Sequence, residues 1–149
     1  MTAVMAQPRE CSVARTLEIV GEKWALLAVR EVFLGNRRFD EMIRRTGAPR
    51  DTLAARLRSL VSGGILERRQ YSAHPARHEY RLTEAGQDLY PVVLTLMRWG
   101  DKYLAGGDGP PLVLEHACGH RLVAAVVCEA CGEPVHARAA RPVSTSQHG

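Results

Sequence analysis

Three of the four cysteines in this 149-residue chain fall in its last quarter, at Cys118, Cys128 and Cys131. Cys128 and Cys131 are separated by two residues and followed by Gly132, the spacing that lets two thiolates reach one ion while a glycine eases the turn. Cys118, Gly119 and His120 resemble a second, incomplete turn of the same kind, and His116 lies two residues before Cys118. A site of three thiolates and one imidazole follows: Cys118, His120, Cys128 and Cys131, with His116 as the alternative fourth ligand. The segment 112–138 is too short to bury a substantial core, so a structural zinc ion would supply the missing stability. Two other chemistries fit the same residues. One is a redox pair at Cys128 and Cys131, although no thioredoxin-like βαβ pattern surrounds it. The other is a metal-free hairpin with reduced cysteines. A catalytic zinc needs an open coordination position and a cleft, and nothing in the pattern suggests either.

Arginine supplies the second candidate chemistry. Residues 37–81 hold eleven arginines against five acids, a net of +6, while the whole chain carries only +4. Concentrated positive charge is the footprint of a polyanionic partner. The competing reading is surface arginine placed without function. The six histidines form no nucleophile–base constellation: two lie near the tip of the basic segment and four at or beyond His116. No acid–base pair and no phosphate-cradling glycine loop is visible, so an enzyme is not expected. Hydrophobic content of 46% and charged content of 24% describe an ordinary globular chain. No apolar run approaches the roughly 18 residues of a membrane span. The first residues lack the apolar core of a secretory signal. A cytoplasmic protein without a membrane partner is expected.

The elements that must position the arginines lie in 39–82. Phe39, Met42 and Ile43 are apolar at i, i+3 and i+4, which predicts a short helix. Thr46, Gly47 and Ala48 suit a turn. Pro49 fits a first helical position, where its missing N–H costs nothing. Leu53, Leu57, Leu60 and Val61 then form one apolar stripe of a second helix, about 49–62. Thr52, Ala55, Arg56 and Ser59 project away from that stripe, Arg58 borders the exposed face and Arg50 stands at the start. Small residues, hydroxyls and arginines suit close approach to base edges and phosphates, and a helix N-terminus attracts phosphate. An amphipathic helix with a solvated polar face is the plainer alternative. Gly63 and Gly64 end it. Two strands, 65–71 and 79–82, follow with a turn at 73–76, carrying Arg68, Arg69, Arg77 and Arg81. This is the order of a winged helix-turn-helix, a device for holding one helix in the DNA major groove.

Around this unit, residues 1–10 read as a flexible arm. Val13, Leu17 and Val20 predict a helix ended by Gly21, and a further helix follows up to Gly35. Thr83 is a good N-cap for a long apolar helix to about Leu104, with Pro91 expected to kink or restart it. That apolar surface exceeds what one small domain covers, so packing against a second subunit is expected, alongside the helix from Val13; the alternative is that it folds back on its own core. Residues 106–111 are a linker by composition. The fold class is therefore mainly α with a small β wing: a winged helix-turn-helix over 11–105, then a small zinc-ribbon-like β unit over 112–138 and a disordered tail over 139–149.

Several residues recur in the order of a known family. They are Cys11; Gly21, Glu22, Lys23 and Trp24; Arg38 and Phe39; Leu53, Arg56, Leu57 and Leu60; Gly64, Ile65, Leu66 and Arg68; and Glu79, Tyr80, Leu82, Thr83 and Gly86. Over about 11–104 the chain resembles the HxlR-type transcriptional regulators of the wider MarR-like group. The resemblance implies a homodimeric, sequence-specific regulator on a pseudo-palindromic double-stranded operator. Residues 49–61 would enter the major groove, and the wing, with Arg77, would lie on the backbone or minor groove. Arg38 falls in the matched pattern and joins the expected DNA contacts. Ala48 departs from relatives that often carry a capping serine there, a loss of about 1 kcal/mol. Some relatives sense oxidants through a cysteine near the position of Cys11, which here also suits simple helix packing. A small-molecule or redox effector is compatible with such a dimer. The alternatives are a protein-interaction module on the same fold, or a thiol-based redox regulator using Cys11. Arg56→Ala is expected to weaken operator binding with little loss of folding stability.

Overall fold

The structure, a computed structural model, describes residues 9–143. The expected arm (1–10) falls almost wholly outside the described residues, and only 139–143 of the expected tail lie within them. The elements are α1 (Ser12–Val20), α2 (Lys23–Phe33), α3 (Phe39–Thr46), α4 (Arg50–Ser62), β1 (Leu66–Ala73), β2 (Ala76–Leu82), α5 (Glu84–Gln87) and α6 (Tyr90–Tyr103). The chain divides into two compact units, one ending at Val93 and one starting at Leu94, so the division falls inside α6 rather than in the glycine-rich stretch at 106–111.

The first unit is built around α4. Its i, i+4, i+7 leucines, Leu53, Leu57 and Leu60, are completely buried with Met42 of α3 and Ala28 and Val29 of α2. Val61, the fourth member of the expected stripe, is only half-buried and packs at the margin of this core. Between α3 and α4 the chain turns on Gly47, whose φ of 72° is a left-handed conformation that a Cβ would disfavour. The Thr46 hydroxyl accepts from the Ala48 amide at 3.1 Å. Pro49 is the N-cap of α4 rather than its first helical residue, with ψ of 137°. Ala48 is therefore one residue outside the cap and is buried, so the missing serine hydroxyl removes no cap from α4. No side chain caps α4, which leaves its N-terminal amides available to an outside acceptor.

α2 is anchored at both ends. The Glu22 carboxylate accepts from the Trp24 amide at 3.0 Å. Glu31, the buried charged residue among those described, accepts from Arg30 Nε and Nη2 at 3.1 and 2.8 Å and from Asn36 Nδ2 at 2.7 Å. These bonds offset the cost of burying its charge and fix the loop into α3.

β1 and β2 form an antiparallel hairpin, with Leu66 opposite Leu82, Arg68 opposite Tyr80 and Arg69 opposite Glu79. It is longer than the apolar pattern predicts, reaching Ala73 and Ala76 with the turn at His74 and Pro75, whose peptide bond is cis. Register slips between Gln70 and Ser72. The helix expected after Thr83, with a kink or restart at Pro91, is two helices, and the second begins at Tyr90. Thr83 caps α5 through the Gly86 amide, Leu89 is buried between the helices, and α6 restarts with Pro91 in its first turn, where its lack of an N–H is harmless. Among the described residues no helix is long and apolar enough to cross a membrane.

Among the described residues no strand follows α6, and the β unit expected over 112–138 holds two isolated bridges, Glu115 with Arg121 and Val127 with Pro134.

Candidate nucleic-acid interface

α4 presents Arg50, Arg58 and Ser59 to solvent, with Thr52, Ala55 and Arg56 half-exposed beside them. The Ser59 hydroxyl is turned back onto the Ala55 carbonyl at 3.1 Å. Arg50 lies 3.2 Å from Asp40 and stacks over the Phe39 ring at 5.0 Å, so the start of α4 is tied to α3. Arg56 is the most constrained. Its Nε is buried without a hydrogen-bond partner and sits 3.8 Å from Glu22, the carboxylate that caps α2. It spans two helices as well as edging the exposed face.

The hairpin sorts the remaining arginines by face, because side chains alternate along a strand. Arg68 is exposed, 3.2 Å from His78 Nδ1, and shares an open cleft with Arg58 of α4. Arg69 projects from the opposite face, 2.8 Å from Glu67, where Arg81 also pairs with Glu79 at 2.7 Å. Arg68 and Arg69 therefore cannot meet the same surface edge-on. Arg77 is exposed and lines a second open cleft of about 790 Å³ with Arg37, Arg38, Arg44, Glu41 and Tyr71. Arg38 stacks on the Tyr71 ring at 4.3 Å, and the Arg37 carbonyl accepts from the Tyr80 amide at 2.8 Å, which fastens this basic turn to the wing. Arg37 and Arg44 were not among the expected contacts: their charge is plain, but no sequence pattern announces that the α2–α3 turn and α3 line one cleft with Arg77 of the hairpin. Arg44 and Arg45 both bond Glu41, whose carboxyl is held below its ordinary range by the hydrogen bonds from Arg44 and then Arg45.

The cysteines lie elsewhere. Cys11 is half-buried at the N-cap of α1, and all four thiols are free. Cys118, Cys128 and Cys131 are exposed, as are His116 and His120. The Cys131 and Ala130 amides donate to the Cys128 sulfur and, with the Cys131 side chain, lower its pKa. Among the described residues no three His, Cys, Asp or Glu side chains are gathered closely enough to hold a metal as they stand.

Two helices joined by a glycine turn, the second seated on a leucine stripe and followed by a basic hairpin, define a winged helix-turn-helix. The HxlR-like helix-turn-helix family model matches residues 19–108, and the chain belongs to that family. It is 51% identical over 132 residues to an uncharacterized HTH-type transcriptional regulator of Mycobacterium tuberculosis, covering 88% of this chain and 84% of that one. The crystal structure of PA1607, a candidate transcription factor, superposes with a TM-score of 0.80 at 33% identity over 93% of this chain and 97% of that chain. The redox regulator HypR in its oxidized form gives a TM-score of 0.55 at 35% identity, covering 62% of this chain and 96% of its own.

Proposed function

We propose that this chain is a cytoplasmic transcriptional regulator that binds double-stranded DNA sequence-specifically as a homodimer. The observation that carries the reading is the two-sided character of α4. Three fully buried leucines fix it to the core, while its arginines and hydroxyls stay at the surface beside a basic hairpin. Thr52, Ala55 and Ser59 allow a close approach to base edges, and Arg50, Arg56 and Arg58 flank them. The uncapped N-terminus of α4 offers amides to a phosphate. Arg38, Arg68 and Arg77 would follow the backbone from the wing side, and Arg69 would act only through a second strand or a bent duplex.

Exposed apolar side chains support the homodimer. Val13 and Leu17 on α1, and Leu96, Trp99 and Tyr103 on α6, are each more than half exposed. Burying their apolar surface returns about 25 cal/mol per Å², with the Trp99 N–H and Tyr103 O–H needing partners at the rim. Structural zinc in the C-terminal segment is part of the same proposal. The donor set of three thiols and an imidazole suits the ion, and amides already point at Cys128. Zinc would supply cross-linking of two short loops that have almost no buried side chains of their own. Redox control through Cys11 is a second reading, favoured by the likeness to HypR and by the half-buried thiol at a helix N-cap.

Fluorescence anisotropy with a short duplex at two salt concentrations, together with sedimentation of the free protein, tests the proposal. Salt-sensitive binding by a dimer is expected. A monomer with no affinity for duplex DNA at low salt would point instead to a protein-interaction module.

A further inference from the structure

The two loops of the C-terminal segment repeat one backbone design, and that repetition bears on which histidine would hold a metal. In the later loop the Cys128 amide donates to the Glu133 carbonyl at 2.8 Å and the Gly132 amide to the Cys128 carbonyl at 2.7 Å. Gly132 has φ of 75°, and the bridge between Val127 and Pro134 closes the loop from outside. In the earlier loop the His116 amide donates to the His120 carbonyl at 2.9 Å and the Gly119 amide to the His116 carbonyl at 2.8 Å. Gly119 has φ of 85°, and the bridge between Glu115 and Arg121 closes it. The outermost bonds also correspond: Leu122 amide to Leu114 carbonyl at 2.7 Å, and Val135 amide to Val126 carbonyl at 3.0 Å. The earlier loop is one residue shorter but otherwise equivalent.

Under this correspondence Cys118 matches Cys131, each directly before a left-handed glycine, and His116 matches Cys128. His120 matches Glu133, a residue on the returning leg whose carbonyl closes the loop. The Cys118 amide also donates to His116 Nδ1 at 3.3 Å, which holds that ring nitrogen beside Cys118. The extra reach of an imidazole over a thiol compensates for the residue that the shorter loop lacks.

We propose that the zinc ligands are His116, Cys118, Cys128 and Cys131, with His116 binding through Nδ1 and His120 left outside the site. This rests on the structural-zinc reading and sharpens it. The metal takes the Nδ1 lone pair that now receives the Cys118 amide, and Nε2 keeps its proton toward solvent. Each of the three thiols gives its proton to the buffer on binding, so the occupied site is a neutral imidazole and three thiolates around one Zn²⁺. The donors are not gathered as they stand among the described residues, so binding would draw the two preformed loops together.

The test uses the full chain and zinc itself. Zinc content is measured by elemental analysis, and affinity by competition with a chelator, for the wild type and for His116→Ala, His120→Ala and His116→Cys. One zinc per chain is expected in the wild type and in His120→Ala at the same affinity. His116→Ala should lose more than about 100-fold, beyond the loss typical of a residue that only supports a ligand. His116→Cys should restore binding as a four-thiolate site, which separates ligand loss from misfolding. Loss of zinc in His120→Ala with retention in His116→Ala, or equal loss in both, overturns the assignment. A wild-type chain that binds no zinc overturns the structural-zinc reading beneath it.

Discussion

The salt dependence of DNA binding follows from how the arginines are partnered at rest. Of the eleven arginines in 37–81, six lie against a carboxylate: Arg44 and Arg45 on Glu41, Arg50 on Asp40, Arg56 on Glu22, Arg69 on Glu67 and Arg81 on Glu79. A paired arginine brings its own counterion and releases little from DNA. Five remain without an acid partner among the described residues: Arg37, Arg38, Arg58, Arg68 and Arg77. The proposed dimer would then neutralise about ten phosphates, and log K should fall against log salt with a slope of about −9 on duplex DNA. Between about 50 and 200 mM salt this lowers affinity by about 10^5-fold, whereas all the arginines of two subunits would give a slope near about −20. The assay is anisotropy of a short mixed-sequence duplex at several salt concentrations, with Arg58→Ala and Arg44→Ala beside the wild type. Arg58→Ala should make the slope shallower by about 2, since one contact is lost from each subunit, and Arg44→Ala should leave it unchanged. A wild-type slope steeper than about −15, or equal effects of the two variants, would refute the idea that resting ion pairs decide which arginines release counterions from the DNA.

Three further outcomes follow from the fold. Glu31→Ala leaves Asn36 and the half-buried Arg30 head without their acceptor, and urea unfolding should show a loss of about 2–3 kcal/mol, below the full cost of a broken buried pair because Arg30 is partly solvated. Gly86→Ala places a Cβ 2.2 Å from the Ile65 carbonyl oxygen, a backbone atom that cannot swing away, so a loss of about 1–3 kcal/mol is expected by the same assay. Glu41 has a folded-state pKa below its unfolded value because Arg44 and Arg45 bond its carboxylate. Its contribution is therefore complete above the ordinary carboxylate range and is lost as pH falls through the lower folded value. Thermal unfolding of wild type and Glu41→Gln should differ at neutral pH and converge in acid.

Periodicity made α4 readable. Leu53, Leu57 and Leu60 repeat at helical spacing because one face must be buried, and all three are. Composition likewise announced the wing, since its arginines and turn residues lie between two short apolar runs. Less was visible where hydrogen bonding rather than burial sets the element. Ser72, Ala73, Ala76 and Arg77 join the strands through backbone pairing alone, and their exposed side chains carry no apolar signal. The opposite facing of Arg68 and Arg69 depends on strand register, which a shift of one residue would reverse. Pro91 signalled a restart, but buried Leu89 at the join between α5 and α6 carries no signal that sets it apart from a helix position. The role of Arg56 was half legible: its place on the edge of α4 follows from helical geometry, but its approach to Glu22 is a contact between distant parts of the sequence. In the C-terminal segment the cysteine spacing was plain, whereas the equivalence of His116 and Cys128 exists only in the backbone bonds.

The central claim, that the surface of α4 enters a duplex groove, is tested most directly by a photo-crosslinker placed at Thr52 and irradiated with the chain bound to its selected site. Cross-links to bases in the major groove are predicted, in two clusters about one helical turn (roughly 34–36 Å) apart for a dimer. DNA bound without any cross-link from Thr52, or cross-links formed only to protein, would contradict it.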